Sequence, residues 1–140
     1  MTFADAFKAL TGHSPFPWQV ELFKKFGRGE IPPSCNLPTG LGKTNVMAIW
    51  LIALAHGEAR LPRRLVYVVN RRTVVDQATH EAEKLRANLQ KPELADLVSR
   101  LQGLCAIAGN DDKTVPLAIG FPQNQELHHY WICFSCELLP

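Results

Sequence analysis

Pro38-Thr39-Gly40-Leu41-Gly42-Lys43-Thr44 is the segment that most strongly indicates the fold of this chain. Two glycines separated by one residue let the backbone turn its N–H groups inward around an anion, because no side chain blocks the approach. The helix predicted to follow, over residues 43–56, directs its positive N-terminal end at the same point. The segment therefore predicts a P-loop that binds the phosphates of ATP.

The residues of this loop have separate predicted roles. Lys43 is placed to reach the β and γ phosphates, and the Thr44 hydroxyl is placed to ligate Mg²⁺ through the bound nucleotide, so these two are the predicted catalytic residues. The other nucleotide contacts expected from the loop are Pro38, Thr39, Gly40, Leu41 and Gly42. The alternative, a chance Gly-rich turn, is the weaker interpretation because seven consecutive residues match.

The segments around the loop predict alternating strands and helices. Residues 35–37 form a short candidate strand, residues 65–69 are continuously apolar like a buried parallel strand, and residues 104–107 form a third candidate. Helices are predicted over residues 3–10, 17–27, 43–56, 73–89 and 92–102. This order is typical of the α/β class with a parallel sheet, which is the P-loop NTPase fold.

Composition and charge restrict the class of protein. Hydrophobic residues make up 46% and charged residues 20%, as in a globular protein, and the net charge of +2 is too small to indicate nucleic-acid binding by itself. The first ten residues lack the pattern of a secretory signal, and the longest apolar run, residues 46–56, is shorter than the about 20 residues that span a bilayer. We therefore expect a cytoplasmic protein with reduced cysteines.

An adenine-binding element is predicted upstream, at Phe16-Pro17-Trp18-Gln19. The side-chain amide of Gln19 has donors and an acceptor that match one edge of adenine, and Phe16 can stack on the base. The alternative places Trp18 in the core and Gln19 on an exposed helix face. The neighbouring P-loop favours the adenine interpretation.

Three blocks in this order resemble superfamily 2 helicases of the DEAD/DEAH type: residues 16–19, 37–44 and 66–77. They are similar to the adenine-reading glutamine motif, the Walker A motif and motif Ia, although Leu37 stands where the usual Walker A pattern has its first glycine. The amino-acid sequences of the last two blocks resemble those of the helicase-nuclease of type I CRISPR systems, in its type I-G (formerly I-U) variety. The resemblance covers roughly residues 16–119.

The resemblance implies a RecA-like ATP-binding domain, here incomplete, from an ATP-dependent DNA helicase or translocase of CRISPR antiviral defence. Its implied cofactors are ATP and Mg²⁺, and its implied partners are single-stranded DNA and a Cascade-type interference complex. Carried over from motif Ia, the DNA backbone contacts would be Arg71, Arg72 and Thr73. The alternative is that one of these arginines pairs with Asp76 or Glu81 on the same helix.

Motifs that the resemblance leads us to expect are missing from these 140 residues. No Asp-Glu-x-His sequence is present to hold Mg²⁺ and position water, so the chain alone is expected to be inactive as an ATP hydrolase. We divide the chain into N-terminal helices with the glutamine motif (1–34), the first part of a RecA-like domain (35–119) and an atypical tail (120–140) that is disordered or frame-shifted. The alternatives are an inactive nucleotide-binding remnant of a truncated helicase gene and an unrelated P-loop NTPase.

The tail contains a possible zinc half-site. Its candidate ligands are His128, His129, Cys133 and Cys136. Four ligands within nine residues are cramped for a tetrahedron, so unpaired thiols are the favoured interpretation.

Overall fold

The computed structural model describes residues 1–57, 61–69, 72–105, 118–120 and 130–135. Within these residues the α-helices are α1 (Phe3–Thr11), α2 (Pro17–Gly27), α3 (Val46–His56), α4 (Arg72–Asn88) and α5 (Ala95–Cys105). The strands are β1 (Arg64–Val69), β2 (Ala118–Gly120) and β3 (Tyr130–Ser135). Two 3₁₀ turns, Lys43–Asn45 and Pro92–Leu94, precede α3 and α5.

Helix α1 begins at a capping box. The Thr2 hydroxyl accepts a hydrogen bond from the Asp5 N–H at 3.2 Å, and the Asp5 carboxylate accepts one from the Thr2 N–H at 3.3 Å. Hydrogen bonds from Thr2 hold the pKa of Asp5 below its usual value, because they favour the charged carboxylate. The helix therefore starts where the sequence predicts it, and Phe7 and Leu10 are buried on one face.

Helix α3 forms the centre of the core. Every residue from Met47 to Ala55 is buried, since α1, α2 and α5 all contact this helix. Gly57 ends the helix in the left-handed conformation, as its position after the apolar run predicts. The helix that follows the P-loop is thereby fixed on several sides, which holds the loop at its N-terminal end in place.

The three described strands form one sheet in the order β1-β3-β2. Both pairings are antiparallel, with Leu65 opposite Phe134 and Ile119 opposite Phe134, so the expected parallel sheet is not confirmed in the described part of the chain. Strand β1 is also less buried than its continuous apolar sequence predicts, because Val66 and Val68 are 52% and 57% exposed. One face of β1 points to solvent, an arrangement that antiparallel sheets tolerate and buried parallel strands do not.

Two predicted strands are wrong in whole or in part. Residues 35–37 form no strand: Cys35 and Asn36 are exposed, and the adjoining Pro38 has no N–H to donate to a sheet. Of residues 104–107, the first two end α5, because Leu104 continues the helical spacing of Leu97 and Leu101. Residues 106 and 107 lie outside the described residues.

The tail contributes a strand that the sequence did not predict. Strand β3 lies within the segment 120–140, which the sequence indicated to be an atypical tail, and it pairs with all six residues of β1. The division of the chain at residues 34 and 119 stays a prediction. Among the described residues, no helix has the length and apolar character needed to cross a membrane.

Candidate nucleotide-binding site

The predicted P-loop connects α2 to α3 and has the backbone conformation that its glycines allow. Gly40 and Gly42 have φ angles of 84° and 66°, in the left-handed region that other residues rarely adopt. Lys43–Asn45 then forms a single 3₁₀ turn that runs into α3. The glycines were predicted to supply this freedom, and the loop uses it at both positions.

The exposure of the loop residues agrees with a role in binding. Lys43 is exposed, and Thr44 is half-buried at the start of the helix. Of the other predicted contacts, the exposed residues are Pro38, Thr39 and Gly40, and the half-buried ones are Leu41 and Gly42. The loop thus lies at the surface, where an anion could reach it.

Two side chains at the start of α2 hold the loop in place. The indole Nε1 of Trp18 donates a hydrogen bond to the carbonyl of Leu41 at 3.1 Å. The amide Nε2 of Gln19 donates one to the carbonyl of Gly42 at 3.2 Å. Sequence reasoning missed both contacts, since residues 23 positions apart give no local signal of their pairing.

Gln19 is buried at the start of α2, which excludes one of the two interpretations that the sequence left open. It is 0% exposed, so it does not lie on an exposed helix face. Its Oε1 accepts a hydrogen bond from the Phe16 N–H at 2.8 Å, while its Nε2 bonds to the loop. Its contact with adenine stays a prediction, and in this conformation the amide is committed to the protein. Phe16 is 44% exposed, and its ring can reach a ligand.

The backbone of Gly42 is closely surrounded. A methyl group at this position would lie 3.2 Å from both the Asn45 Nδ2 and the Gln19 Nε2, and 3.8 Å from the Phe16 ring. The two shorter separations are tighter than ordinary van der Waals contacts. Gly42 is therefore favoured by its φ angle, and a side chain at this position would also need the Asn45 and Gln19 amides to shift by a few tenths of an ångström.

A cleft of about 600 Å³ opens between the loop and α4. Its volume is within the range of small-molecule sites. It is lined by Gly42, Thr44 and Asn45 from the loop, by Asp76, Gln77, His80, Glu81 and Lys84 from α4, and by Thr11 and His13. The cleft carries both signs of charge, and Thr44 shares it with carboxylate groups of α4.

The predicted DNA contacts are described only in part. Arg71 lies outside the described residues, Arg72 is the first residue of α4, and Thr73 is exposed. Their contact with DNA stays a prediction, and so does the alternative pairing with Asp76 or Glu81. Helix α4 is the next described element after β1.

The described residues contain no group of three or more metal-ligating side chains. Cys35 is an exposed free thiol. Of the proposed zinc ligands, His128, His129 and Cys136 lie outside the described residues. The Mg²⁺ contact of Thr44 stays a prediction.

The chain was compared with families of known proteins, and it matches a family model over most of its length. The family model described as "Type III restriction enzyme, res subunit" (ResIII) matches residues 13–129, which include the glutamine element, the P-loop and the segment after β1. No curated protein and no solved structure matches the chain. The matched region is longer than residues 16–119 and reaches into the tail.

Proposed function

Because the chain belongs to the family of the type III restriction enzyme res subunit, a helicase-type P-loop domain of superfamily 2, we propose that it is the ATP-binding part of a nucleic-acid motor. The family implies a RecA-like P-loop fold. The observation that carries the proposal is the loop itself, which turns through two left-handed glycines and leads directly into a buried helix. That geometry is suited to polyphosphate binding.

The P-loop supplies the groups that would bind the phosphates of ATP and the accompanying Mg²⁺. Backbone N–H groups and Lys43 attract the phosphates, and the half-buried Thr44 supplies a hydroxyl oxygen for the metal that accompanies them. Mg²⁺ prefers oxygen ligands and keeps several waters, so the Thr44 hydroxyl would be one of the oxygen ligands that hold it beside the phosphates. Phe16 would stack on the base from its exposed position.

Replacing Lys43 tests this assignment. In Lys43→Ala we expect the dissociation constant for Mg²⁺-ATP to rise by about ten- to a hundredfold, because a charge-assisted bond to phosphate is removed. Titration calorimetry on wild type and variant measures the difference. Lys24→Ala is the matched control, since Lys24 is an exposed lysine of α2 that pairs with Glu21. Equal affinity of Lys43→Ala and wild type would refute the assignment.

We further propose that the start of α4 contacts the backbone of single-stranded DNA. Two adjacent arginines after a strand suit phosphate, because guanidinium groups bind phosphate oxygens in pairs and backbone contacts allow movement along any sequence. The exposed position of Thr73 leaves the start of this helix accessible.

The double replacement Arg71→Ala/Arg72→Ala tests the DNA contact. We expect weaker binding of single-stranded DNA and a flatter dependence of affinity on salt, by roughly one counterion for each phosphate that an arginine no longer neutralises. Arg86→Ala/Arg100→Ala removes the same charge elsewhere and serves as the control, because Arg86 is exposed on α4 and Arg100 pairs with Asp96. A salt slope that is identical in the wild type and both variants would show that these arginines serve the structure instead.

The finer assignment to CRISPR antiviral defence, with a Cascade-type complex as partner, is also a proposal. It is supported by the sequences of residues 37–44 and 69–77, which resemble those of the helicase-nuclease of type I systems. The neighbouring genes test it directly. A locus with CRISPR-associated genes is expected, and a restriction-modification locus would contradict it.

A further inference from the structure

The first turn of α2 makes two hydrogen bonds to consecutive carbonyls of the loop. Trp18 bonds to Leu41 and Gln19 bonds to Gly42. Helix α2 is itself fixed, because Leu22 and Phe26 are buried in the core and Trp18 packs against the same cluster. The loop is therefore attached to a rigid element at two neighbouring peptide units.

These two hydrogen bonds set the direction of two backbone N–H groups, those of Gly42 and Lys43. A peptide unit is planar and trans, so the C=O of one residue and the N–H of the next point in opposite directions. With the Leu41 carbonyl directed at Trp18, the Gly42 N–H points away from α2. With the Gly42 carbonyl directed at Gln19, the Lys43 N–H also points away from α2. Backbone N–H groups in this part of a P-loop hold the α and β phosphates.

We propose that Trp18 is a positioning residue for nucleoside di- and triphosphates, which acts by fixing the Leu41 carbonyl so that the Gly42 N–H faces the phosphates. The proposal rests on the proposed function, since it assumes that the loop binds nucleotide. It goes beyond it by giving Trp18 a role separate from stacking on the base or filling the core.

Removal of the Trp18 bond and removal of Lys43 are expected to affect ATP and ADP differently. Backbone donors act on the α and β phosphates, which ATP and ADP share, whereas Lys43 also reaches the γ phosphate of ATP. Loss of the Trp18 bond should therefore weaken ATP and ADP by the same factor. Loss of Lys43 should weaken ATP more than ADP. A purely structural role for Trp18 predicts instead a lower unfolding temperature, with the ATP and ADP affinities of the folded protein unchanged.

Trp18→Phe tests the proposal, with Trp50→Phe as the matched control. Trp50 also donates its indole N–H to a backbone carbonyl, that of Pro62 at 3.0 Å, but it lies in the core on α3. Both variants lose the same atoms and one hydrogen bond. We expect Trp18→Phe to raise the dissociation constants of ATP and ADP about two- to tenfold, and Trp50→Phe to lower the unfolding temperature without changing either constant.

A fluorescence measurement keeps the proposal testable if Trp18→Phe folds poorly. The variant Trp50→Phe/Trp131→Phe leaves Trp18 as the only tryptophan of the chain. Its emission should change saturably on titration with ATP and with ADP, because the indole is bonded to the binding loop. An emission that stays constant while calorimetry shows nucleotide binding would overturn the proposal.

The possible failures can be told apart. Unchanged ATP and ADP affinities in a folded Trp18→Phe protein, with Lys43→Ala still impaired, would overturn the role of Trp18 alone. Absence of nucleotide binding by the wild-type chain would overturn the proposed function and this inference together.

Discussion

Steady-state phosphate release by this 140-residue chain is expected to stay about 10³–10⁵-fold below a helicase-like rate, with or without single-stranded DNA. Phosphoryl transfer needs charge stabilisation on the γ phosphate, a positioned metal and an oriented water. Lys43 and Thr44 contribute to the first two of these. An arginine finger, worth about that factor in rate, belongs to a part of the motor that these residues do not include.

We expect no carboxylate of the described residues to take the place of the missing motif. Asp76 and Glu81 line the cleft with Thr44, but they lie on a helix that carries the predicted DNA contacts. Asp111 and Asp112 lie outside the described residues. The measurement is phosphate release by protein shown to be folded. Turnover that DNA stimulates and that Lys43→Ala abolishes would contradict the expectation, and a rate per chain that rises with protein concentration would then indicate completion of the site by self-association.

Replacing Gly42 by alanine is expected to reduce ATP affinity by about 10- to 300-fold. A residue other than glycine in the left-handed region costs about 1–2 kcal/mol. The added methyl group would also lie 3.2 Å from the Gln19 Nε2. It would weaken the hydrogen bond from that atom to the Gly42 carbonyl, which is worth about 0.5–1.5 kcal/mol. Both effects raise the free energy of the loop conformation that binds ATP. The apparent affinity for ATP therefore falls with the population of that conformation. Calorimetric titration with ATP measures the loss.

Gly57→Ala is the control for Gly42→Ala. Gly57 has a similar φ of 71°, but a methyl group there would meet nothing within 4 Å, and the residue lies at the end of α3 opposite to the P-loop. We expect both variants to lose stability in thermal unfolding through the same backbone strain. Only Gly42→Ala should lose ATP affinity. If Gly42→Ala binds ATP as tightly as Gly57→Ala does, the close packing around the loop has no role in binding.

Much of the helical structure follows from local sequence. The helices predicted over residues 3–10, 17–27 and 43–56 correspond to α1, α2 and the 3₁₀ turn with α3. These elements depend on hydrogen bonds and side-chain contacts between residues three or four apart, so a single segment carries the information. The left-handed glycines of the loop are local in the same sense.

The partners of the strands could not be predicted from local sequence in this way. Residues 65–69 were predicted as a strand, and β1 confirms it, but its parallel neighbour was not found in the described residues. Its observed partner, β3, lies more than 60 positions later in the chain. A strand bonds only to another segment, and an apolar run such as Tyr130–Ser135 does not specify which segment that is.

The amino-acid sequence alone identifies the helicase-type family, the P-loop and the helix that follows it. It also identifies the candidates for contact with phosphate and magnesium. The packed chain was needed to show that Gln19 is buried against the loop and that Trp18 bonds to Leu41. The physical reason is the distance along the chain over which each interaction acts. A glycine turn and a helix are complete within a few residues, whereas a side chain of α2 finds a carbonyl 23 residues away only after α2 and α3 have packed around the same core.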